Sequence, residues 1–446
     1  MNPIRSILGL LALGALSPIL QAAPRVVINE IHYDPEPKTE HVEFIELYNA
    51  GDEPADLAGW QFNNGIDYTF AAGVTLEPQA FLVITENKSH FDAKFGSIFV
   101  GGEKAFDEWS GGTLDNDGEQ VRLVDADDVV VDEVNYKSTF PWPIAANGDG
   151  VSMELIDVDV DNDLGGSWRS AIDAPTPWEP NSTVVANAPP LIRQVDHDPK
   201  MPTTSEAAVI TAKVTDIDAV DTVEVLYQVV APGDYIQSLK AHSSSVWKSR
   251  PNDPREPNPE FEDAANWEKV KMLDDGAGDD EMAGDGVYTA TLPVQASNRT
   301  LVRYRIRATD GLGGSVRVPH ADDPSLNFAY FVYDGVPEYL ANTRSVHPDG
   351  EPYTHPQEVM TSLPVYFLLT DEDEFDQCIA YSSGDQVGRD NFDTRSAFNW
   401  NGTFVYNGVV YDHIKYRLRQ RNDRYGGEGK RSMRFRFNRG NHAQFH

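Results

Sequence analysis

The chain has 446 residues, a formal net charge of -35 and one cysteine, Cys378. Its length exceeds what one hydrophobic core covers and predicts about three domains, while the lone cysteine excludes an internal disulfide framework. The acidic excess excludes nucleic acid and anionic membrane as partners of the bulk of the chain, yet residues 401–446 carry ten Lys or Arg against three acids.

Residues 1–23 have the layout of an export signal. Arg5 supplies the positive start, Ile7 to Leu16 is an apolar run too short to span a bilayer, and Ala22 and Ala23 offer a cleavage site. The expected location is secreted, periplasmic or cell-surface. No other stretch is long and apolar enough for a membrane-spanning helix.

Residues 24–187 read as short strands separated by turns, with almost no helical periodicity. The segments Ile28-Asn29-Glu30-Ile31, Glu43 to Asn49, Leu57-Ala58-Gly59-Trp60, Gly118 to Val124 and Asn162 to Trp168 resemble the lamin-tail domain. The resemblance implies an immunoglobulin-like β-sandwich acting as a binding or spacer module, with no catalytic residues to carry over. Asp157, Asp159, Asp161 and Asp163 have the alternate spacing of a calcium loop. Trp168 stands where the loop needs its twelfth-position Glu, so a solvated loop is the expected reading.

After the linker ANAPP (186–190), residues 188–335 give the strands EAAVITAKVTD, DTVEVLYQVV and TLVRYRIRATDG, and resemble a bacterial immunoglobulin- or fibronectin-III-like sandwich. A polar, Pro-rich insertion from Ser243 to Asn266 reads as a surface excursion. Asp274, Asp275, Asp279, Asp280 and Asp285 then crowd one Gly-rich turn. Clustered carboxylates must be solvated or hold a cation, which leaves a solvated Asp/Gly turn and a structural Ca²⁺ site as the two readings.

Residues 336–360 read as a second linker, and 361–446 as the start of an α+β domain. LPVYFLLT predicts a buried strand, and DEDEFDQCIAY a short helix capped by Thr370 with Asp373, with Cys378 buried on it. Asn407-Gly408 between two β-rich runs predicts a tight hairpin. Ile414, Tyr416 and Leu418 then alternate with Lys415, Arg417, Arg419 and Arg421, and Met433, Phe435 and Phe437 alternate with Ser432, Arg434 and Arg436. Period-2 alternation predicts strands with one face on a core, so the other face gathers arginines that repel one another. That face calls for an anion: a phosphate, an acidic partner, or acids of this chain such as Asp371 to Glu374. His347, His355, His413, His442 and His446 lack metal-ligand spacing and read as surface or turn histidines. The loop ending at Lys430 is not a Walker P-loop, because Arg424 and Arg431 stand where Gly and Ser or Thr are needed.

The order strand, helix, hairpin, Arg417-Leu418-Arg419 and Lys430-Arg431-Ser432-Met433-Arg434 resembles the N-terminal part of the CotH family of spore-coat and secreted proteins with an atypical kinase fold. Two departures are the missing glycine after Arg419 and Met433 in an aromatic position. The resemblance implies that Lys430, Arg417, Arg419 and Arg434 contact the phosphates of ATP, with Mg²⁺. Catalytic acids of a kinase follow its nucleotide lysine, but the sixteen residues after Lys430 contain no Asp or Glu. The expectation is a mainly β chain of tandem sandwiches ending in an incomplete, inactive kinase-like domain, with ATP and Mg²⁺ only if that domain is completed. The alternative is a non-enzymatic adhesion or scaffold protein whose partner is an extracellular protein or polymer. Nucleic acid is the least favoured partner, resting on Tyr411, Tyr416 and Tyr425 stacking bases among the arginines.

Overall fold

The computed structural model describes residues 25–96, 106–243, 254–340, 354–382, 400–418 and 433–440. The expected export signal, Arg419, Arg421, Tyr425, Lys430, His347, His442 and His446 lie outside the described residues.

The chain is mainly β and builds two sandwiches and a smaller α+β unit. In the first sandwich a six-stranded sheet runs in the order Trp168–Ser170, Met153–Leu155, Val26–His32, Phe44–Asn49, Phe81–Thr85, Phe106–Glu108. It faces a five-stranded sheet centred on Gln120–Val124 and Gln61–Asn64. Ile28, Ile45 and Leu82 from one sheet pack with Phe62 and Val121 from the other, and Trp168 closes the same core.

Val26–His32 is buried along its whole length, so both of its faces are covered. A bulge between Ile28 and Glu30 turns Glu30 away from the core that holds Ile28 and Ile31. Glu30 then stands in register with Glu154 on one side and Glu46 on the other. All three are fully buried, under the segment from Thr176 to Thr183. The Thr176 amide donates to Glu30 (2.9 Å), the Thr176 hydroxyl to Glu154 (2.7 Å), and the Trp178 amide to Glu46 (2.5 Å). Ser182 and Thr183 add donors to Glu154. Three adjacent carboxylates cannot all ionise out of water. Burial pushes Glu30 up to about 8, and burial with the neighbouring Glu30 holds Glu46 well above its ordinary value.

The second sandwich pairs a three-stranded sheet (Leu191–Asp198, Val209–Thr215, Val287–Thr291) with one built on Val220–Val230 and Leu301–Asp310. Ile210, Val225, Ile306 and Tyr304 fill the space between them. In the α+β unit the sheet order is Tyr366–Leu369, Trp400–Tyr406, Val409–Leu418, Met433–Arg436. The helix Glu372–Ser382 lays buried Cys378 and half-buried Phe375 on that sheet, against Trp400, Phe404, Ile414 and Tyr416. Asn407 and Gly408 have φ of 49° and 80°, as a two-residue hairpin of positive-φ type demands, and Tyr406 pairs with Val409 across them.

Two local expectations change. Tyr366–Leu369 is not a buried strand but a half-buried edge strand with Tyr366 exposed. The helix cap is Asp371, whose carboxylate accepts the Glu374 amide at 3.0 Å, while Thr370 donates instead to the Asn401 carbonyl and meets the Tyr416 hydroxyl at 3.0 Å. The cap residue lies one place later because the preceding threonine is held by the sheet.

The buried glutamate row gives a testable pH dependence. Glu30 holds its proton more tightly folded (about 8) than at its ordinary value of 4.5. Its contribution is therefore full below about 4.5 and is lost as pH rises through about 8. Glu30→Gln, which cannot ionise, is expected to flatten the alkaline fall in a series of urea melts from about pH 5 to about pH 9. An identical fall in wild type and variant would assign the loss to other groups.

Candidate functional site

The hairpin expected to carry arginines forms as read. In the antiparallel pair Val409–Leu418 and Met433–Arg436, Arg417 lies opposite Arg434 and Lys415 opposite Arg436. Tyr416 and Phe435 form the alternate pair and sit in the core beneath. Lys415, Arg434 and Arg436 are exposed and Arg417 is half-buried. Partial burial, and after it the neighbouring cations Arg436 and Arg255, push the Lys415 ammonium below its ordinary value. Among the described residues no carboxylate forms an ion pair with Lys415, Arg434 or Arg436. Tyr411 and Tyr416 are buried on the opposite face and cannot stack bases beside these cations.

Two of the acids expected to neutralise that face, Asp371 at the helix cap and Glu374, are engaged elsewhere. Glu374 is buried and bonded to Arg255, from the insertion of the second sandwich, and also accepts the Asn401 amide. The described part of the insertion is thus not a surface excursion but a bracket on the α+β unit. Phe261 within it is buried and lies under the guanidinium groups of Arg303 and Arg305, 5.2 Å from each. Its polar, Pro-rich composition hid one aromatic anchor and one arginine that reach a neighbouring domain.

At the centre of this contact, Arg303 of the second sandwich meets Asp412 of the Val409–Leu418 strand. The guanidinium donates to both carboxylate oxygens, at 2.7 and 3.2 Å, with the two side chains 0% and 3% exposed. Arg303 also donates to Gln228 and to the Ile236 carbonyl, and Asp412 accepts from Thr403, Asn327 and the His413 amide. Burial opposes the charge on Asp412, but Arg303, His413 and these donors outweigh it and hold the carboxyl well below its usual range. A bulge opposite Gly402 to Phe404 and a positive φ at His413 (55°) aim both Asp412 and His413 into the contact. His413 is therefore not a surface histidine: it is buried, its Nε2 is 2.8 Å from Asn327 Oδ1, and burial lowers it to about 4. A neutral ring donating from Nε2 fits that geometry.

The first sandwich joins the same junction. Arg439 pairs with Asp149 and donates to the Asn147 carbonyl, while Asn438 donates to the carbonyls of Pro324 and Asp412. Phe140 of the first sandwich meets Phe328 of the second at 5.1 Å. Between the three units lies a cleft of about 480 Å³, lined by Phe140, Tyr304, Phe328, Val409 and Val410 and by the polar residues Asp323, Ser325 and His197.

The aspartate-rich turn is held by its own backbone. Asp274 accepts the amides of Gly284, Asp285 and Gly286. Asp275, Asp280 and Asp285 accept those of Ala277, Gly276 and Val287, and Asp279 accepts the Thr291 hydroxyl. Among the described residues no group of three His, Cys, Asp or Glu is arranged to hold a metal ion. In the earlier acidic loop Asp159 pairs with Arg25, Asp157 and Asp161 close local turns, and Asp163 accepts the Asn135 amide.

The family model described as Lamin Tail Domain matches residues 20–138. That span contains Ile28 to Ile31, Glu43 to Asn49, Leu57 to Trp60 and Gly118 to Val124. The Asn162 to Trp168 segment lies beyond it, although the indole of Trp168 donates to the Asn162 carbonyl (2.7 Å) inside the same core. No curated protein sequence matches the chain.

Removing one partner of the junction pair leaves a buried charge unmatched, which costs about 3–5 kcal/mol, whereas replacing both by apolar side chains is far milder. Asp412→Ala is expected to lower the urea midpoint steeply, and Arg303→Met with Asp412→Leu to recover most of the loss. Equal loss in the single and double variants would show that the charges themselves hold the contact.

Proposed function

We propose that the chain is an extracellular, multi-module binding scaffold in which two immunoglobulin-like sandwiches carry a CotH-like α+β unit, and that this unit's basic strand face takes a phosphate-bearing ligand. The lamin-tail match supports a binding or scaffold role for the first module. Export rests on the apolar run from Ile7 to Leu16, and the CotH-like reading on the order of elements and the lysine and arginines around Gly429. Catalysis forms no part of the proposal.

One comparison carries the anion site. The Leu301–Asp310 strand also places three arginines on one face, and each has a carboxylate: Arg303 with Asp412, Arg305 with Glu262, Arg307 with Glu224. On the other strand pair, Lys415, Arg434 and Arg436 have none among the described residues. Lys415 placed directly opposite Arg436 destabilises a sheet, so this pair is best explained by a ligand that offsets the repulsion. Arg side chains suit phosphate, which they grip through two donors at once.

ATP with Mg²⁺ is the first ligand to titrate, by calorimetry on the full chain. Binding should weaken as salt rises and fall about tenfold or more in Arg434→Glu with Arg436→Glu, since each reversal turns an attraction of about 1 kcal/mol or more into a repulsion. The reading is falsified if ATP, inorganic phosphate and an acidic peptide all fail to bind. Binding of the acidic peptide alone would leave the scaffold and remove the kinase-like ligand. Calcium in the Asp274 to Asp285 turn is a separate proposal, supported by five carboxylates in one turn. A melting midpoint lowered by EDTA supports it, and an unchanged midpoint removes it.

A further inference from the structure

We propose that the cleft between the three units binds a neutral saccharide, packed against Phe140 and Phe328 and hydrogen-bonded to Asp323 and Ser325. The site is distinct from the basic strand face and does not depend on it.

Four features lead there. First, the cleft is a junction of domains, where small-ligand sites concentrate, and at about 480 Å³ it is large enough for a small ligand. Second, two of the residues that line it each hold a buried polar atom with no partner, Asp323 Oδ1 and Ser325 Oγ. Asp323 is only 3% exposed, and its other oxygen is fixed by the His320 amide at 2.8 Å. The Ile144 N–H stands near the carboxyl but outside hydrogen-bond geometry with Oδ1. An unmatched buried polar atom costs about 1–3 kcal/mol, a cost that a ligand hydroxyl would remove.

Third, the remaining charges of the lining are already matched, so a charged ligand finds no partner. Asp196 is bonded to Lys200, and Asp412 to Arg303. His197, 3.0 Å from the Tyr304 hydroxyl, is pushed toward its neutral form by burial and by Lys200. Burial also raises Asp323 to about 7, so it offers a hydrogen bond more readily than a full charge. Fourth, the lining also carries aromatic and aliphatic side chains, with Phe140 and Phe328 set edge to face, half-buried and thus accessible. A ring with one apolar face and hydroxyls at its edge matches such a lining; an anion, a divalent cation or a purely apolar molecule matches only part of it.

The probes are glucose, N-acetylglucosamine and their β-1,4-linked disaccharides, titrated into the full chain and followed by saturation-transfer NMR and calorimetry. At least one should bind. Ser325→Ala and Asp323→Asn should each weaken it about tenfold, the value of one good hydrogen bond in a closed site. Val409→Arg is the control for folding, because Val409 lines the mouth and is 50% exposed. It should keep the wild-type melting midpoint while abolishing binding. Arg434→Glu should leave saccharide binding unchanged, which separates this site from the basic face. Failure of all four sugars to bind folded protein overturns the proposal, as does binding that survives Val409→Arg.

Discussion

The architecture depends on one buried ion pair. Arg303 and Asp412 belong to different domains, and neither could be left out of water alone: an ion moved to a low-dielectric interior loses several kcal/mol even after relaxation. They are compatible with burial only together, and only because further donors and acceptors surround them. Gln228, the Ile236 carbonyl, Asn327, Thr403 and the His413 amide complete the set. The second sandwich and the α+β unit therefore behave as one body. A contact of this kind adds less to stability than an apolar one of equal area, but it fixes orientation, since five directed bonds to one carboxylate tolerate little rotation.

Fixed orientation explains how the insertion and the arginine strands are used. Phe261 can sit beneath Arg303 and Arg305 because both guanidinium groups are already held flat by carboxylates. Arg255 from the same insertion takes Glu374, one of the first-turn acids of the helix that were expected to reach the basic face. The cations of Lys415, Arg434 and Arg436 are thereby left to solvent and to whatever anion arrives. The same pattern of alternating arginines has opposite outcomes on two strands, and the difference lies in which carboxylates are already committed.

That difference also marks what the sequence could reveal. Period-2 alternation located the Val409–Leu418 and Met433–Arg436 strands and their outward cations, and Asn407-Gly408 fixed the hairpin, because both signals are local. The first sandwich was legible from its recurrent turns and from segments that resemble the lamin-tail domain, both of which are also local. Arg303, Asp412 and Phe261 are far apart in the chain, and their meeting depends on how domains dock. Asp412 read as one acid among many arginines, and His413 as a turn histidine, because a bulge that redirects two side chains leaves no periodic trace. A sharper signal did exist in TLVRYRIRATDG, whose outward face carries three arginines that a solvated sandwich has no need of.

Two buried titrations of opposite sign follow from these packings. Glu30 has a raised proton affinity, so its share of stability is lost as pH rises through about 8. His413 has a lowered one, from an ordinary 6.5 to about 4, so its share is present above about 6.5 and is lost as pH falls through the interval to about 4. The first sits under the strap of the first sandwich, and the second in the joint between the other two units. Alkali thus acts on the sheet face that Thr176 to Thr183 cover, and acid on the orientation of the basic strands. Protonating His413 would place a third cation beside Arg303 and Arg305 in a space whose carboxylates, Asp412 and Glu262, are already bonded. Acid should therefore loosen the joint, as it should the surroundings of His32 in the first sandwich, which burial holds at about 3.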